Sequence, residues 1–545
     1  MNINRRTLLY SMTAAGLLAP FSASLFAAAP VLARPSKQQI AWADLEIGMF
    51  VHFAPNTWQD LESDDLSTPL SAINPVKLDT DQWARTALEL GAKYIVFVAK
   101  HQGGFCMWQT HTTDYGIRNT PWKDGKGDVL AEVRASCDKY GLKLGVYVCP
   151  RDDHAGAATG GICKTPELQA KYDAMYREQL TEVFSRYGEM VEIWFDGSSK
   201  TDVGDLLAKY QPKAMVFQGR QATIRWVGTE EGSAPYPCWN GIDRAGARSG
   251  VSTALDSDPN ADTWLPNEVD VSIRRPDWFW STKNADKVLT KAQLMSIYYR
   301  SVGRGAQLLL NLPANRDGLL DAPDVASAKA FGDEVKRRFT SPVAETKGLT
   351  LMLAKPTRVD TVVIEEEIAL GERIRGYRLE GFAEGEWRPL GEGISVGHKR
   401  IQPIVPLTVS GVRLVVTSSA APVRLKRLAV FDTGVPAPED WNASSKLWSS
   451  NLAGKWVDES FSVDLTKHIK VAGQYALRFQ GTTGTVTGFS GIVLEQGGVA
   501  TPSLIKASRT KKNELLLNIT GLDSSIKVSG KVLGAEAGSI LLERR

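Results

Sequence analysis

Cysteine is scarce in this sequence: 5 in 545 residues, at 106, 137, 149, 163 and 238, none of them in a CxxC pair. That excludes a disulfide framework and the usual ligand spacing of a structural zinc site. No sign of charge is in excess, since 64 Lys and Arg face 61 Asp and Glu for a formal net charge of +3. Such a balance lacks the basic field that binds a phosphate backbone and the acidic surplus of disordered tails, so nucleic acid is not an expected partner. Past the N-terminal region no apolar run approaches the roughly 18 residues of a membrane span, and the mature chain is expected to be soluble with no span. Histidine is also rare, 6 in all, and those at 52, 101, 111 and 154 fall in the first third of the chain.

What is present is a length about three times that of a common domain, with 43% hydrophobic residues, which predicts several globular units. The 15 tryptophans are unevenly spread, most of them between Trp42 and Trp280. Flat rings among a few polar groups suit a cleft that binds sugars, because rings stack on the apolar faces of a pyranose while polar groups orient its hydroxyls. A large core filled with large residues has the same composition. The chain opens MNINRRTLLY and reaches Ala27-Ala28-Ala29-Pro30-Val31-Leu32-Ala33, small residues at signal-peptidase spacing. Residues 1–33 are therefore expected to be an export signal, and Arg5-Arg6 followed by Thr7-Leu8-Leu9 resembles a twin-arginine signal, which points to a periplasmic or extracellular destination.

From Ile47 to about Phe339 short apolar runs alternate with helical patterns, as in successive βα units around a parallel sheet. Strands are predicted at Ile47 to Ala54, Tyr94 to His101, Lys143 to Pro150, Val191 to Gly197, Ala214 to Gly219 and Leu308 to Pro313. Helices are predicted at Asp81 to Leu90, Asp128 to Tyr140 and Pro166 to Tyr187. The fold class is α/β, a (β/α)-barrel over 34–342. Chemistry in such barrels sits at the carboxyl ends of the strands. The polar residues fall there: His52, Lys100-His101, Arg151-Asp152 and Asp196. After Pro342 short alternating runs such as Thr361-Val362-Val363-Ile364 predict a β-sandwich over 343–434. A break near Gly434-Val435-Pro436-Ala437-Pro438 opens a second β-rich region, 435–545.

The strongest local signal is Val191-Glu192-Ile193-Trp194-Phe195-Asp196-Gly197, an apolar strand that delivers a carboxylate at its end. Alone it is weak, since many strands end in an Asp that caps a helix or a turn. A retaining glycosidase needs a second carboxyl about 5 to 5.5 Å away to protonate the departing oxygen. The loop Arg225-Trp226-Val227-Gly228-Thr229-Glu230-Glu231-Gly232 offers two.

Longer blocks carry a resemblance. They are Gly91 to Trp108 with His101-Gln102-Gly103-Gly104-Phe105, then Gly48-Met49-Phe50-Val51-His52-Phe53, Trp194-Phe195-Asp196-Gly197, and Leu309-Leu310-Asn311-Leu312-Pro313-Ala314-Asn315-Arg316-Asp317-Gly318-Leu319. Taken in chain order they resemble the family 29 glycoside hydrolases, the retaining α-L-fucosidases, and span the barrel from about residue 42 to 340. The resemblance implies that Asp196 is the nucleophile, that His52 and His101 bind fucose hydroxyls, and that Trp194 packs beside the ring. Arg225 to Glu230 resembles the RWIGNE block of the subfamily acting on α-1,3 and α-1,4 linkages, which implies Glu230, rather than Glu231, as acid/base. Gln102, Arg225, Trp58 and Trp280 join the expected substrate-binding set. No metal or other cofactor is implied, and the partner is a fucosylated oligosaccharide or glycoprotein glycan. The C-terminal regions resemble the family only in character, the first being discoidin-like in outline.

There are departures. The family's usual HHDGF reads His101-Gln102-Gly103-Gly104-Phe105, so one histidine has become an amide and an acid is gone. The usual EWG is not reproduced in Asn56-Thr57-Trp58-Gln59-Asp60-Leu61-Glu62. Two other readings share these residues: a degenerate barrel that binds fucosylated glycans without cleaving them, and a relative tuned to another sugar such as α-L-galactose. Asp152, Asp153 and His154 read as a polar rim loop, Asp270 and Arg275 as a candidate ion pair, Trp278-Phe279-Trp280 as core sooner than cleft or, from its place after Val269 to Pro276, as an apolar wall near the sugar's methyl group, and His111, His398 and His468 as surface. Nothing in the sequence bears on oligomeric state.

Overall fold

In a computed structural model the chain is described over residues 32–443, apart from 246 and 248–251, and over most of 452–544. The expected signal, apart from its last two residues, and His468 lie outside the described residues. Repeated βα units form because each helix is bounded by its own local signals. Asp79 caps Thr80–Leu90 by accepting from the Gln82 N–H, and Asp128 caps Val129–Tyr140 by accepting from Ala131. Both helices stop at a glycine in the left-handed region, Gly91 at φ 92° and Gly141 at φ 70°, where a Cβ would be strained. Pro166, at the first helical position after Thr165, starts the long Pro166–Arg186 helix.

The strands are β1 (Ile47–Val51), β2 (Tyr94–Lys100), β3 (Lys143–Val148), β4 (Met190–Trp194), β5 (Met215–Phe217), β6 (Arg225–Trp226), β7 (Asn267–Ser272) and β8 (Gln307–Asn311). They form one parallel sheet in the order β5-β4-β3-β2-β1-β8-β7-β6. A parallel bridge from Phe217 to Ile224 brings β5 against the approach to β6, so the sheet nearly closes into a barrel. The short strands β6 and β7 were not expected. In β7 apolar Val269 and Val271 alternate with Glu268 and Asp270, which reads as a half-exposed strand. Every residue of it is buried, because its polar face looks into the barrel.

That interior is unusually acidic. Glu192 on β4 accepts indole N–H groups from Trp42 at 2.8 Å and Trp194 at 2.5 Å. Burial pushes the carboxyls of both Glu192 and Glu268 above the usual range, and mutual repulsion lifts Glu268 further. Nearby, Lys100 and Asp152 form a buried ion pair at 3.0 Å, with Gln179 Oε1 also 3.0 Å from the ammonium. Asp152 is thus a structural group under the site, while Asp153 and His154 are the partly exposed part of that loop.

Beyond the barrel lie antiparallel sheets. Six strands between Ala344 and Phe431 form one sheet around Val362, Ile364, Leu379 and Leu428, and its longest members, Thr350–Glu366 and Arg400–Ser419, carry bulges. Sheets of five and four strands follow between Leu452 and Arg544 and enclose a shared core that includes Val463, Leu477, Phe479 and Val528. The six-stranded sheet seats on the barrel through Phe431 against Phe339, their ring centroids 5.6 Å apart. His398, expected at the surface, is instead buried in this seam, where its Nε2 lies 2.9 Å from Asp44 Oδ1. Its partner Asp44, at the end of the Lys37–Ala43 helix, is distant in the chain.

Candidate active site

The carboxyl ends of the barrel strands converge on a cavity of about 400 Å³. His52 and His101 follow directly on β1 and β2, Asp196 lies just past β4, and Glu230 comes from the loop after β6. All four line the cavity, with Gln102 and Trp194.

Asp196 is largely buried, which raises its carboxyl above the usual range; hydrogen bonds from Tyr147 and Gln102 act against that rise. The Tyr147 hydroxyl donates to Oδ2 at 2.9 Å. Glu230 stands on the open side. Partial burial lifts its carboxyl, the Trp278 indole lowers it, and the charge of Asp196 lifts it again. Two carboxyls thus face one cavity, both raised first by burial; neutral donors pull Asp196 back toward the anion, while the charge of Asp196 adds to the rise at Glu230, an arrangement suited to a division of roles.

The histidines are neutral. Burial lowers His52 to about 3 and His101 well below its ordinary value. His52 Nδ1 lies 2.8 Å from Asn311 Oδ1, and the Asn311 amide nitrogen donates to Ser272 and to the Trp278 carbonyl, which orients its oxygen toward His52. His52 therefore carries its proton on Nδ1 and leaves Nε2 as an acceptor. His101 stacks on Tyr147 with ring centroids 5.6 Å apart. Trp194 stacks on Phe217 at 3.5 Å, and its N–H is spent on Glu192, so it offers the cavity only a ring face.

Three expected binding residues lie elsewhere. Arg225 is buried beneath the loop that follows it, donating to the carbonyls of Trp239 and Thr253 and to Ser257 Oγ. Trp58 packs on Phe53, and Trp280 donates to Asp321 at 2.5 Å. None of the three lines the cavity. Of Trp278 and Phe279, read as core or as an apolar wall beside the sugar, both line the cavity. Arg274, not Arg275, makes the ion pairs here, to Asp321 and Asp324, and Asp270 pairs with neither arginine.

Sequence reasoning missed Tyr147, Glu62 and Asp270. Glu62 enters from the loop after β1 and accepts from the Trp278 N–H at 2.8 Å. Burial raises its carboxyl. Asp270 lines the cavity with one buried oxygen that has no hydrogen-bond partner. Burial, then the charge of Glu230, push its carboxyl well above its ordinary value, in the direction of the protonated form. Its place in an alternating run next to a second acid, Glu268, was the available signal.

The departure at Gly103 has a tertiary explanation. A Cβ at Gly103 would lie 2.6 Å from the carboxyl carbon of Asp64 and 2.7 Å from its Cβ. Asp64 is buried and accepts from Tyr115 at 2.8 Å, Gln59 at 2.7 Å and the Leu66 N–H at 2.9 Å. The acid missing from one loop is supplied by another.

Among the described residues no group of three or more His, Cys, Asp or Glu is placed to hold a metal ion. No helix among them is long and apolar enough to cross a membrane.

A family model described as alpha-L-fucosidase matches residues 68–338. The chain is 32% identical over 425 residues to alpha-L-fucosidase 1 of Arabidopsis thaliana, covering 68% of this chain and 82% of that one. A solved structure from Bacteroides thetaiotaomicron bearing the same family name superposes with a TM-score of 0.70 at 32% identity, over 74% of this chain and 99% of the other. A family 29 fucosidase of Ruminococcus gnavus in complex with fucose superposes with a TM-score of 0.65 at 26% identity, over 76% of this chain and 97% of the other.

Proposed function

This chain belongs to the α-L-fucosidase family and is a glycoside hydrolase, and from that premise we propose that it releases terminal α-L-fucose with retention of configuration. The observation that carries the reading is the facing pair Asp196 and Glu230 in one cavity with neutral imidazoles and ring walls. Asp196 attacks C1 of fucose, the bond from C1 to the glycosidic oxygen breaks, and the proton of Glu230 passes to that oxygen. Water then attacks C1 of the fucosyl ester, Glu230 takes its proton, and the Asp196 carboxylate leaves. His52 Nε2 accepts from a sugar hydroxyl, while Phe50, Trp194, Trp278 and Phe279 enclose the apolar face and methyl group.

The proposed linkage is α-1,3 or α-1,4 to N-acetylglucosamine. Its support is the resemblance of Phe50 to Thr57 and of Arg225 to Glu230 to the linkage-restricted subfamily, together with a second hollow. This hollow, about 310 Å³, shares Trp226, Glu230 and Trp278 with the first and adds Thr229, Glu231, Ser272 and Arg275. Both hollows border Glu230, so a sugar leaving from the acid has a place to sit. Contacts there help only when the right sugar fills them, so simple aryl fucosides should be poor substrates. Product NMR decides the stereochemistry: β-fucose formed first by the wild type would end the retaining reading. Asp196→Asn, which cannot form the ester, should lose turnover and keep its fold. Comparing kcat/KM for a Lewis-type trisaccharide, 2′-fucosyllactose and an aryl fucoside tests the linkage, and a fastest reaction with the α-1,2 substrate would overturn it. The binding-only alternative is not favoured, because both carboxyls face the cavity.

A further inference from the structure

Gln102 can turn either end of its amide toward Asp196, and the ends act in opposite ways. The NH₂ donates to a carboxylate, whereas the carbonyl repels it. Arg151, in the loop after β3, decides between them. Its Nη1 lies 3.1 Å from Gln102 Oε1, and its Nε donates to Asp153 Oδ1 at 2.7 Å. The Asp153 N–H also donates to the Gln102 main-chain carbonyl at 2.9 Å, so the two loops are tied twice. With the amide oxygen engaged by a cation, the amide nitrogen is the end left for Asp196. Arg151 itself lines no part of the cavity.

We propose that Arg151 is a positioning residue for the nucleophile: anchored by Asp153, it locks the Gln102 amide with its NH₂ toward Asp196. The proposal rests on Asp196 being that nucleophile. Several other groups face Asp196. Tyr147 and Cys149 come from β3 and the residue after it, His52 and His101 from the ends of β1 and β2, and Glu230 and Asp270 from across the cavity. Burial keeps Tyr147 and Cys149 protonated and the imidazoles uncharged, and it raises the Asp270 carboxyl well above its ordinary value. The two ends of the Gln102 amide carry opposite polarity, so a turn of that amide reverses its sign toward Asp196 without a proton being gained or lost.

The test compares full-length wild type, Arg151→Met, Arg151→Lys and Gln102→Glu. For each, kcat and KM are measured across pH, with the rate of covalent trapping by a 2-deoxy-2-fluoro-fucosyl fluoride and peptide mapping of the labelled residue. In Arg151→Met, kcat and the trapping rate should fall about 10- to 100-fold with KM nearly unchanged, the scale of a lost preorganised donor. The acid limb of kcat/KM should rise by about one pH unit, as expected when a carboxylate loses a hydrogen bond. Gln102→Glu should show the same pattern, while Arg151→Lys, which keeps the cation, should recover most of the trapping rate and return the acid limb toward its wild-type position. A folded Arg151→Met with an unmoved acid limb and wild-type trapping overturns the proposal, even if its melting temperature falls. Should Arg151→Met fail to fold, Gln102→Glu carries the same decision. A wild type labelled at some residue other than Asp196 overturns the nucleophile assignment itself, a result distinct from loss of the relay.

Discussion

Restoring the family's acid at Gly103 should damage this protein, and removing Asp64 should repair it. In Gly103→Asp the new Cβ meets the Asp64 side chain, which hydrogen bonds from Tyr115, Gln59 and the Leu66 N–H hold in place. Overpacking a dense region costs about 1–3 kcal/mol, and a second carboxyl in the same buried space adds to it, so about 3 kcal/mol is expected. At roughly 2–4 °C per kcal/mol for a domain of this class, the melting temperature should fall by about 6 to 12 °C. Asp64→Gly alone strands the Tyr115 hydroxyl and the Leu66 N–H, at about 2 kcal/mol. In the double variant the new carboxylate occupies the vacated space, and the total should fall well short of the sum of about 5 kcal/mol, with a coupling near the upper end of the 0.5–3 kcal/mol range seen roughly for contacting pairs. Thermal unfolding of the four proteins at one scan rate, followed by circular dichroism and tryptophan fluorescence, gives the comparison. Strict additivity, or a Gly103→Asp variant melting within about 2 °C of wild type, would refute the claim that one acid replaces the other.

Glu230→Ala should slow hydrolysis of natural oligosaccharides by about 10²–10⁴-fold and aryl fucosides with good leaving groups far less, while Glu231→Ala should be milder; steady-state kinetics with both substrate types check this, and exchanged phenotypes would move the acid by one residue. Because His52 binds a proton less readily folded than unfolded, its contribution to stability is present above about pH 6.5 and is lost as pH falls toward about 3. The loss is at most about 1.4 kcal/mol per pH unit, and His101 acts in the same direction. His52→Gln should therefore flatten the fall of melting temperature with acidification; an unchanged slope would count against a buried neutral imidazole. Finally, we propose that residues 1–33 direct export: Arg5→Lys with Arg6→Lys should block it in a bacterial host, and unimpaired export would point to the general secretory route.

Asp196, His52 and His101 were legible in the sequence because each sits at the end of an apolar strand run, and in a barrel that one-dimensional position is already a place in space. Chain order alone likewise supplied the βα alternation and the change to antiparallel β texture after Pro342, since both rest on local periodicity. Which face a loop residue presents is set by contacts with distant segments, and there the sequence was silent. Arg225 looked like a sugar ligand until Trp239, Thr253 and Ser257 closed over its guanidinium. Trp278, Phe279 and Trp280 are adjacent, yet contacts from Glu62 and Asp321 leave the first two as cavity walls and turn the third away. Asp270 was hidden because buried acids in a strand mimic solvent-facing ones, and only closure of the barrel puts that face inside. The loss at Gly103 likewise reads as a missing acid until the fold brings Asp64 from another loop into the same space.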